Sequence, residues 1–207
     1  NYSKVIKARN VIVQFKGTTF PNEKIVVGGH LDSWDLATGA MDNGIGSFSV
    51  IDMARTFQNL QLKTSRTIEF VLFMGEEQGL LGSRAYVDAA VKDKSIDQIR
   101  FMLNYDMTNN PKGYATTAAE SKPLLEHIGT IAHFLDSNFK NTLRIGAGLH
   151  SDHQPFMLHG VPTGGGADGA LPNGAGPCYH ADCDVFSLVD DMGMRNTIRF
   201  NTMLVYG

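Results

Sequence analysis

Thr67-Ile68-Glu69-Phe70-Val71-Leu72-Phe73-Met74, followed at once by Gly75-Glu76-Glu77-Gln78-Gly79, is the stretch that decides the fold. The first eight residues form the strongest strand signal in the chain. They are too few for an ordinary helix, and too apolar for a strand with one face in water. Such a run reads as a buried strand of an α/β sheet. Ile25-Val26-Val27-Gly28-Gly29 has the same near-continuous apolar character. Between the two, Ile45, Phe48, Ile51, Met53, Ala54 and Phe57 recur at helical spacing, which predicts a helix over 45–60.

Strand and helix alternate along the rest of the chain. Strands are predicted over 10–15, 100–105 and 161–163, and helices over 82–91, 121–137 and 189–205. Lys122-Pro123 suits a first helical turn. The glycine-rich stretch 164–176 reads as loop. The expected class is α/β: a mostly parallel, mixed β-sheet flanked by helices on both faces. The 207 residues make one domain, or a large part of one, with chain enough to bury a core. Both ends look cut, as in a piece of a longer chain.

Composition narrows the function. A formal net charge of -3 leaves no electrostatic footprint for nucleic acid or an anionic membrane. No apolar run reaches the roughly 20 residues of a membrane helix. Nothing in the sequence signals an oligomeric state. The two cysteines, Cys178 and Cys183, flank His180. They could close a short disulfide that stiffens this loop, implying an oxidising compartment, or equally remain free thiols packed beside it.

The chemistry lies where strands run out. His30 ends Gly28-Gly29-His30-Leu31-Asp32-Ser33, and in a doubly wound sheet ligands gather outside the carboxyl ends of the strands. Asp32 stands where it could accept a hydrogen bond from the second ring nitrogen of His30 and orient the ring. Asp42, in Gly39-Ala40-Met41-Asp42-Asn43-Gly44, could cap the following helix or share its two oxygens between cations. Glu76 and Glu77 follow a buried strand, where paired carboxylates are expensive to desolvate unless something positive is near. Adjacent residues do not comfortably face one ion, so one can ligate while its neighbour holds a water. Asp106 ends another strand, and His180 follows the glycine-rich loop. His150 and His153, around Ser151-Asp152, compete for ligand roles. Two imidazoles and three carboxylates suit a pair of borderline-hard divalent ions better than one structural ion.

Taken in order, Gly-Gly-His30-Leu-Asp32-Ser, Asp42-Asn-Gly, Gly-Glu76-Glu77-Gln-Gly-Leu-Leu-Gly-Ser, Asp106 and Tyr179-His180 resemble the motifs of the M28 family of zinc peptidases. The resemblance runs from about residue 10 to residue 205. It implies a zinc-dependent exopeptidase fold of the phosphorylase/hydrolase-like kind, two zinc ions per chain and a peptide or dipeptide substrate. His30 and Asp106 would hold one ion, Glu77 and His180 the other, with Asp42 between them. Glu76 would be the general base, Asp32 would orient His30, and Tyr179 would steady the oxyanion. Ala181-Asp182 stands where the family usually has Thr-Pro, which bears on substrate preference. The resemblance further implies a secreted or periplasmic setting and a protease-associated domain before the first strand. The rival activities are a glutaminyl-cyclase-like or amidohydrolase enzyme on the same fold, and an inactive binding module.

Overall fold

The computed structural model describes residues 5–172 and 174–207. Its strands are β1 (Val11–Phe15), β2 (Phe20–His30), β3 (Arg66–Phe73), β4 (Ile99–Asn104), β5 (Gly113–Thr116), β6 (Thr142–Ile145) and β7 (Thr163–Ala167). They join in one sheet of order β1-β3-β2-β4-β7-β5-β6. The pairs β2–β3, β2–β4, β4–β7 and β5–β6 are parallel, whereas β1 and β5 run antiparallel to β3 and β7. The α helices are α1 (Ile45–Asn59), α2 (Leu81–Lys92), α3 (Lys122–Leu135), α4 (His153–Leu158) and α5 (Asp191–Tyr206). This is the mixed, helix-flanked α/β class that the apolar runs predict.

The continuous apolar character of the central strands follows from their position between two cores. Side chains alternate across a strand. Val27, Ile68, Phe70 and Leu103 pack on one face with Val50, Met53 and Phe57 of α1 and Phe200 of α5. Val26, Val71, Phe73 and Met102 pack on the other with Val87 of α2 and Phe156 of α4. Each fully buried side chain of this kind stabilises the fold by about 1.5–3 kcal/mol relative to exposure.

Several elements differ from the sequence expectation. The glycine-rich stretch expected to be loop contributes β7, whose Thr163-Gly164-Gly165-Gly166-Ala167 lies between β4 and β5. A Cβ on Gly165 would sit 2.7 Å from the Asn104 carbonyl, so small residues let the three backbones close up. β5 and β6 have four residues each and lack a long apolar run, which is why no period marks them. The strand expected over 161–163 starts only at Thr163, and α4 was not among the predicted helices.

Connectivity then places the site. The chain leaves β2 through α1, on one face, to reach β3, and returns through α2, on the other face, to β4 on the far side of β2. The direction of winding reverses around β2, opening a crevice at the carboxyl ends of β2, β3 and β4. No helix among the described residues is long and apolar enough to cross a membrane.

Candidate metal centre

His30 is the last residue of β2 and is buried. Its Nδ1 lies 3.0 Å from the main-chain oxygen of Asp32. Its Nε2 points at Asp42 Oδ1 (3.2 Å) and Asp106 Oδ1 (3.5 Å). Across the crevice, His180 Nε2 lies 3.0 Å from Asp42 Oδ2 and 3.3 Å from Glu77 Oε2. Asp42 therefore turns one oxygen to each imidazole.

The donor atoms fall into two overlapping groups, His30/Asp42/Asp106 and Asp42/Glu77/His180, each spanning no more than 4.8 Å. Glu76 comes within the same range of His30 and Glu77. His150 and His153 line the cleft but enter none of these groups; His153 is instead hydrogen-bonded through Nε2 to the Gly148 carbonyl.

Local backbone puts each donor in place. Asp42 belongs to a tight turn, 40–44, ahead of α1, and its side chain makes no capping hydrogen bond. Asn43 beside it donates to the Tyr105 carbonyl at 2.9 Å and accepts from the Met107 amide at 3.0 Å, tying this turn to the end of β4. Ser151 donates to Asp106 Oδ2 at 2.7 Å and accepts from the Asn104 amide at 2.7 Å. Asn43, Asn104 and Ser151 carry no spacing signal of their own. Only the Asp-Asn-Gly and Ser-Asp-His contexts single them out.

Asp32 acts differently from the expectation. Its carboxylate is 3.9 Å from His30 Nδ1, and its backbone carbonyl makes the short contact instead. The carboxylate accepts from the amides of Gly75 (2.7 Å), Glu76 (3.0 Å) and Glu77 (3.1 Å). Three N–H groups converging on one anion outcompete a single imidazole, so Asp32 shapes the turn that presents both glutamates.

Electrostatics make the crevice hungry for positive charge. Burial works against a charged His30, but Asp106 and Asp42 overcome it and lift the imidazole pKa to about 11. Burial pushes Glu76 up to about 8, with Asp106, Asp152 and Glu77 adding to the rise against His30. Glu77 is likewise raised, chiefly by burial and then by Asp42. His30 Nε2 and Glu77 Oε1 are buried without a hydrogen-bond partner. Such atoms, in a set of carboxylates and imidazoles, fit divalent cations.

Tyr179 and Trp34 flank His180. The Tyr179 ring stacks on the imidazole at 3.7 Å between centroids, and Trp34 lies 5.2 Å away. Cys178 and Cys183 are disulfide-bonded, closing the loop that carries both Tyr179 and His180. The cleft, of about 690 Å³, is walled by Trp34, Leu80, Met107, Leu149 and Tyr179 above the carboxylates. None of its described lining residues is Lys or Arg.

An α/β sheet with an acid-and-imidazole centre at its carboxyl edge defines the class of protein. Residues 10–205 match the profile of Peptidase family M28, and the chain belongs to that family. It is 29% identical to aminopeptidase Y of Saccharomyces cerevisiae over 95% of this chain and 38% of that protein. It is 36% identical to carboxypeptidase Q of Xenopus laevis over 74% of this chain and 32% of the relative. The chain thus spans only about a third of the length of these relatives. Among solved structures, an M28 peptidase precursor from Shewanella amazonensis superposes with a TM-score of 0.82 at 23% identity, over 95% of this chain and 43% of that one. A zinc aminopeptidase from Bacillus subtilis superposes with a TM-score of 0.76 at 26% identity, over 95% and 49%.

Proposed function

We propose that this chain is the catalytic domain of a two-zinc exopeptidase that removes residues from the amino terminus of peptides or dipeptides. One observation carries the reading: two donor groups share Asp42, with the unshared carboxylate Glu76 standing beside them. The five donors His30, Asp42, Glu77, Asp106 and His180 would hold the ions, and the orphaned His30 Nε2 and Glu77 Oε1 fit that use. When bound, zinc supplies Lewis acidity toward a carbonyl and brings the pKa of water from 15.7 to about 7. The relationship to the Bacillus subtilis zinc aminopeptidase supports zinc as the metal.

The residues of the chain then divide the work. Glu76, held by the amide nest around Asp32, takes a proton on its carboxylate from the attacking water. It returns that proton to the leaving amine as the bond breaks. In the metal-free protein, burial and the neighbouring carboxylates raise the Glu76 pKa to about 8; bound cations would lower it and leave the carboxylate free to accept a proton. Tyr179, half-exposed over the cleft and fixed by stacking on His180, presents its hydroxyl to the developing oxyanion. Trp34 and Leu149 offer apolar wall to the side chain of the substrate.

Aminopeptidase is the activity in the names of the Saccharomyces cerevisiae relative and the Bacillus subtilis neighbour. This supports attack at the amino end. The Cys178–Cys183 disulfide supports an oxidising, extracytoplasmic setting. The cyclase alternative, which has the same fold in a glutaminyl cyclase from an Acidobacteriales bacterium (TM-score 0.71, 19% identity, 95% of this chain and 73% of that one), predicts one ion rather than two.

The test is Glu76→Gln with elemental analysis of the purified protein. Two zinc ions per chain should remain while kcat on aminoacyl substrates falls by about 10²–10⁴-fold. Near-normal turnover would remove Glu76 from its role, and a single ion in the unmodified protein would favour the cyclase-type reading.

A further inference from the structure

His180 is displayed by a segment that has few ties to the rest of the fold. The backbone hydrogen bonds that residues 174–189 make among themselves and to Pro172 are local. The hydrogen bonds that anchor this segment elsewhere, among the described residues, converge on one residue, Asp184. Its Oδ1 accepts from the Met41 amide at 2.7 Å and its Oδ2 from the Asp42 amide at 3.0 Å. Its main-chain carbonyl accepts from the Thr38 amide at 3.3 Å and the Thr38 hydroxyl at 3.1 Å. Asp184 is 4% exposed, whereas its neighbour Asp182 lies in solvent.

This anchor joins the two halves of one donor group. Asp42 and His180 are far apart in sequence, yet Asp184 grips the backbone of Asp42 from a position four residues past His180. The disulfide on Cys183, next to Asp184, closes the loop back to Cys178, so the grip reaches His180 through a short, cross-linked path. His180 itself has φ +54°, a backbone conformation that non-glycine residues hold only when their surroundings enforce it. Apolar packing of Ala175, Leu188 and Val189 on Met41 and Ile45 holds the loop near the crevice. Such contacts are tolerant of small slides; two charge-assisted hydrogen bonds to consecutive amides are directional.

We propose that Asp184 is a positioning residue that sets the separation of His180 from Asp42, and with it the affinity of the Asp42/Glu77/His180 group for its ion. It touches neither substrate nor metal. The His30/Asp42/Asp106 group shares Asp42 but has further ties of its own, through Asn43 on the Tyr105 carbonyl and Ser151 on Asp106, and it does not include the loop that carries His180. The effect therefore falls mainly on the ion that depends on His180. This inference rests on the two-zinc reading above.

The experiment is calorimetric titration of zinc into the metal-stripped full chain, comparing wild type with Asp184→Asn. An asparagine keeps the shape but sets an NH2 donor against a backbone N–H. We expect wild type to take two equivalents, and the variant to bind one equivalent as wild type does and the other about 10–100-fold more weakly. Thr38→Val, which removes only the hydroxyl's bond to the Asp184 carbonyl, gives a second measurement should Asp184→Asn not fold. It should weaken the same equivalent by a smaller factor. Two wild-type-like equivalents in either folded variant, or equal weakening of both, overturns the role of Asp184. Fewer than two equivalents in the wild type overturns the two-zinc reading and this inference with it.

Discussion

Asp152 is fully buried, and neither of its carboxylate oxygens makes a hydrogen bond. Burial pushes its pKa from an ordinary 3.8 up to about 7, with Ser83 and His30 offsetting part of the rise and Asp106 and Asp32 adding to it. The folded state thus holds this proton more tightly than the unfolded chain does. Its stabilising contribution is complete below about pH 4 and disappears as pH rises through about 7. In the metal-free protein, the Tm of wild type should therefore decline from pH 5 to pH 8 more steeply than that of Asp152→Asn. Parallel Tm profiles in a thermal scan across this range would show that Asp152 does not titrate there. Asp152 directly precedes α4 yet makes no capping bond, and it lies near enough to Glu76 to raise the pKa of that carboxyl, a proximity no local pattern indicates.

At the scale of elements, the ends of strands matter more than their middles. β2 and β4 approach so closely beside the site that a Cβ on Gly29 would lie 2.5 Å from the Tyr105 carbonyl and 3.2 Å from Asn43 Nδ2. The obstacle is backbone, which cannot rotate away. Gly29→Ala should destabilise the domain by about 1–3 kcal/mol, measured by urea unfolding. It should also disturb metal binding, because His30 follows directly and Asn43 bridges to Tyr105. A variant as stable as wild type would mean that the strands separate freely at this point. The long elements were legible for a physical reason. α1, β2 and β3 bury whole faces or both faces, and burial imposes a period on the residues. β5, β6 and α4 are short, and β7 is mostly glycine, so their pairing depends on neighbours that are distant in sequence.

At the scale of the molecule, the sheet is a platform and the crevice a store of uncompensated charge. Asp42, Glu76, Glu77, Asp106 and Asp152 converge on one edge, where the described residues offer imidazoles but no Lys or Arg to balance them. Zinc that binds the folded but not the unfolded chain should stabilise by about 2.7 kcal/mol at a concentration 100 times its Kd. Stripping metal with a chelator should accordingly lower the Tm by several degrees, and zinc should restore it. An unchanged Tm in differential scanning calorimetry would argue against metal at this centre. The same crowding of carboxylates accounts for the apparent extravagance of Glu76-Glu77 after a buried strand.

The class of sheet, the main helices and the candidate donors that the fold brings together were all legible in the sequence. Each of these is written in local patterns: apolar runs for burial, and acids or imidazoles at strand ends where no core residue would be polar. Tertiary structure alone decided how they combine. It turned the Asp32 carboxylate from His30 toward three amides, because those amides converge only after β2 and β3 pair. It closed the Cys178–Cys183 disulfide, settling what two nearby cysteines leave open. It also brought Asp184 onto the amide of Asp42, a contact between segments 142 residues apart that no local pattern encodes.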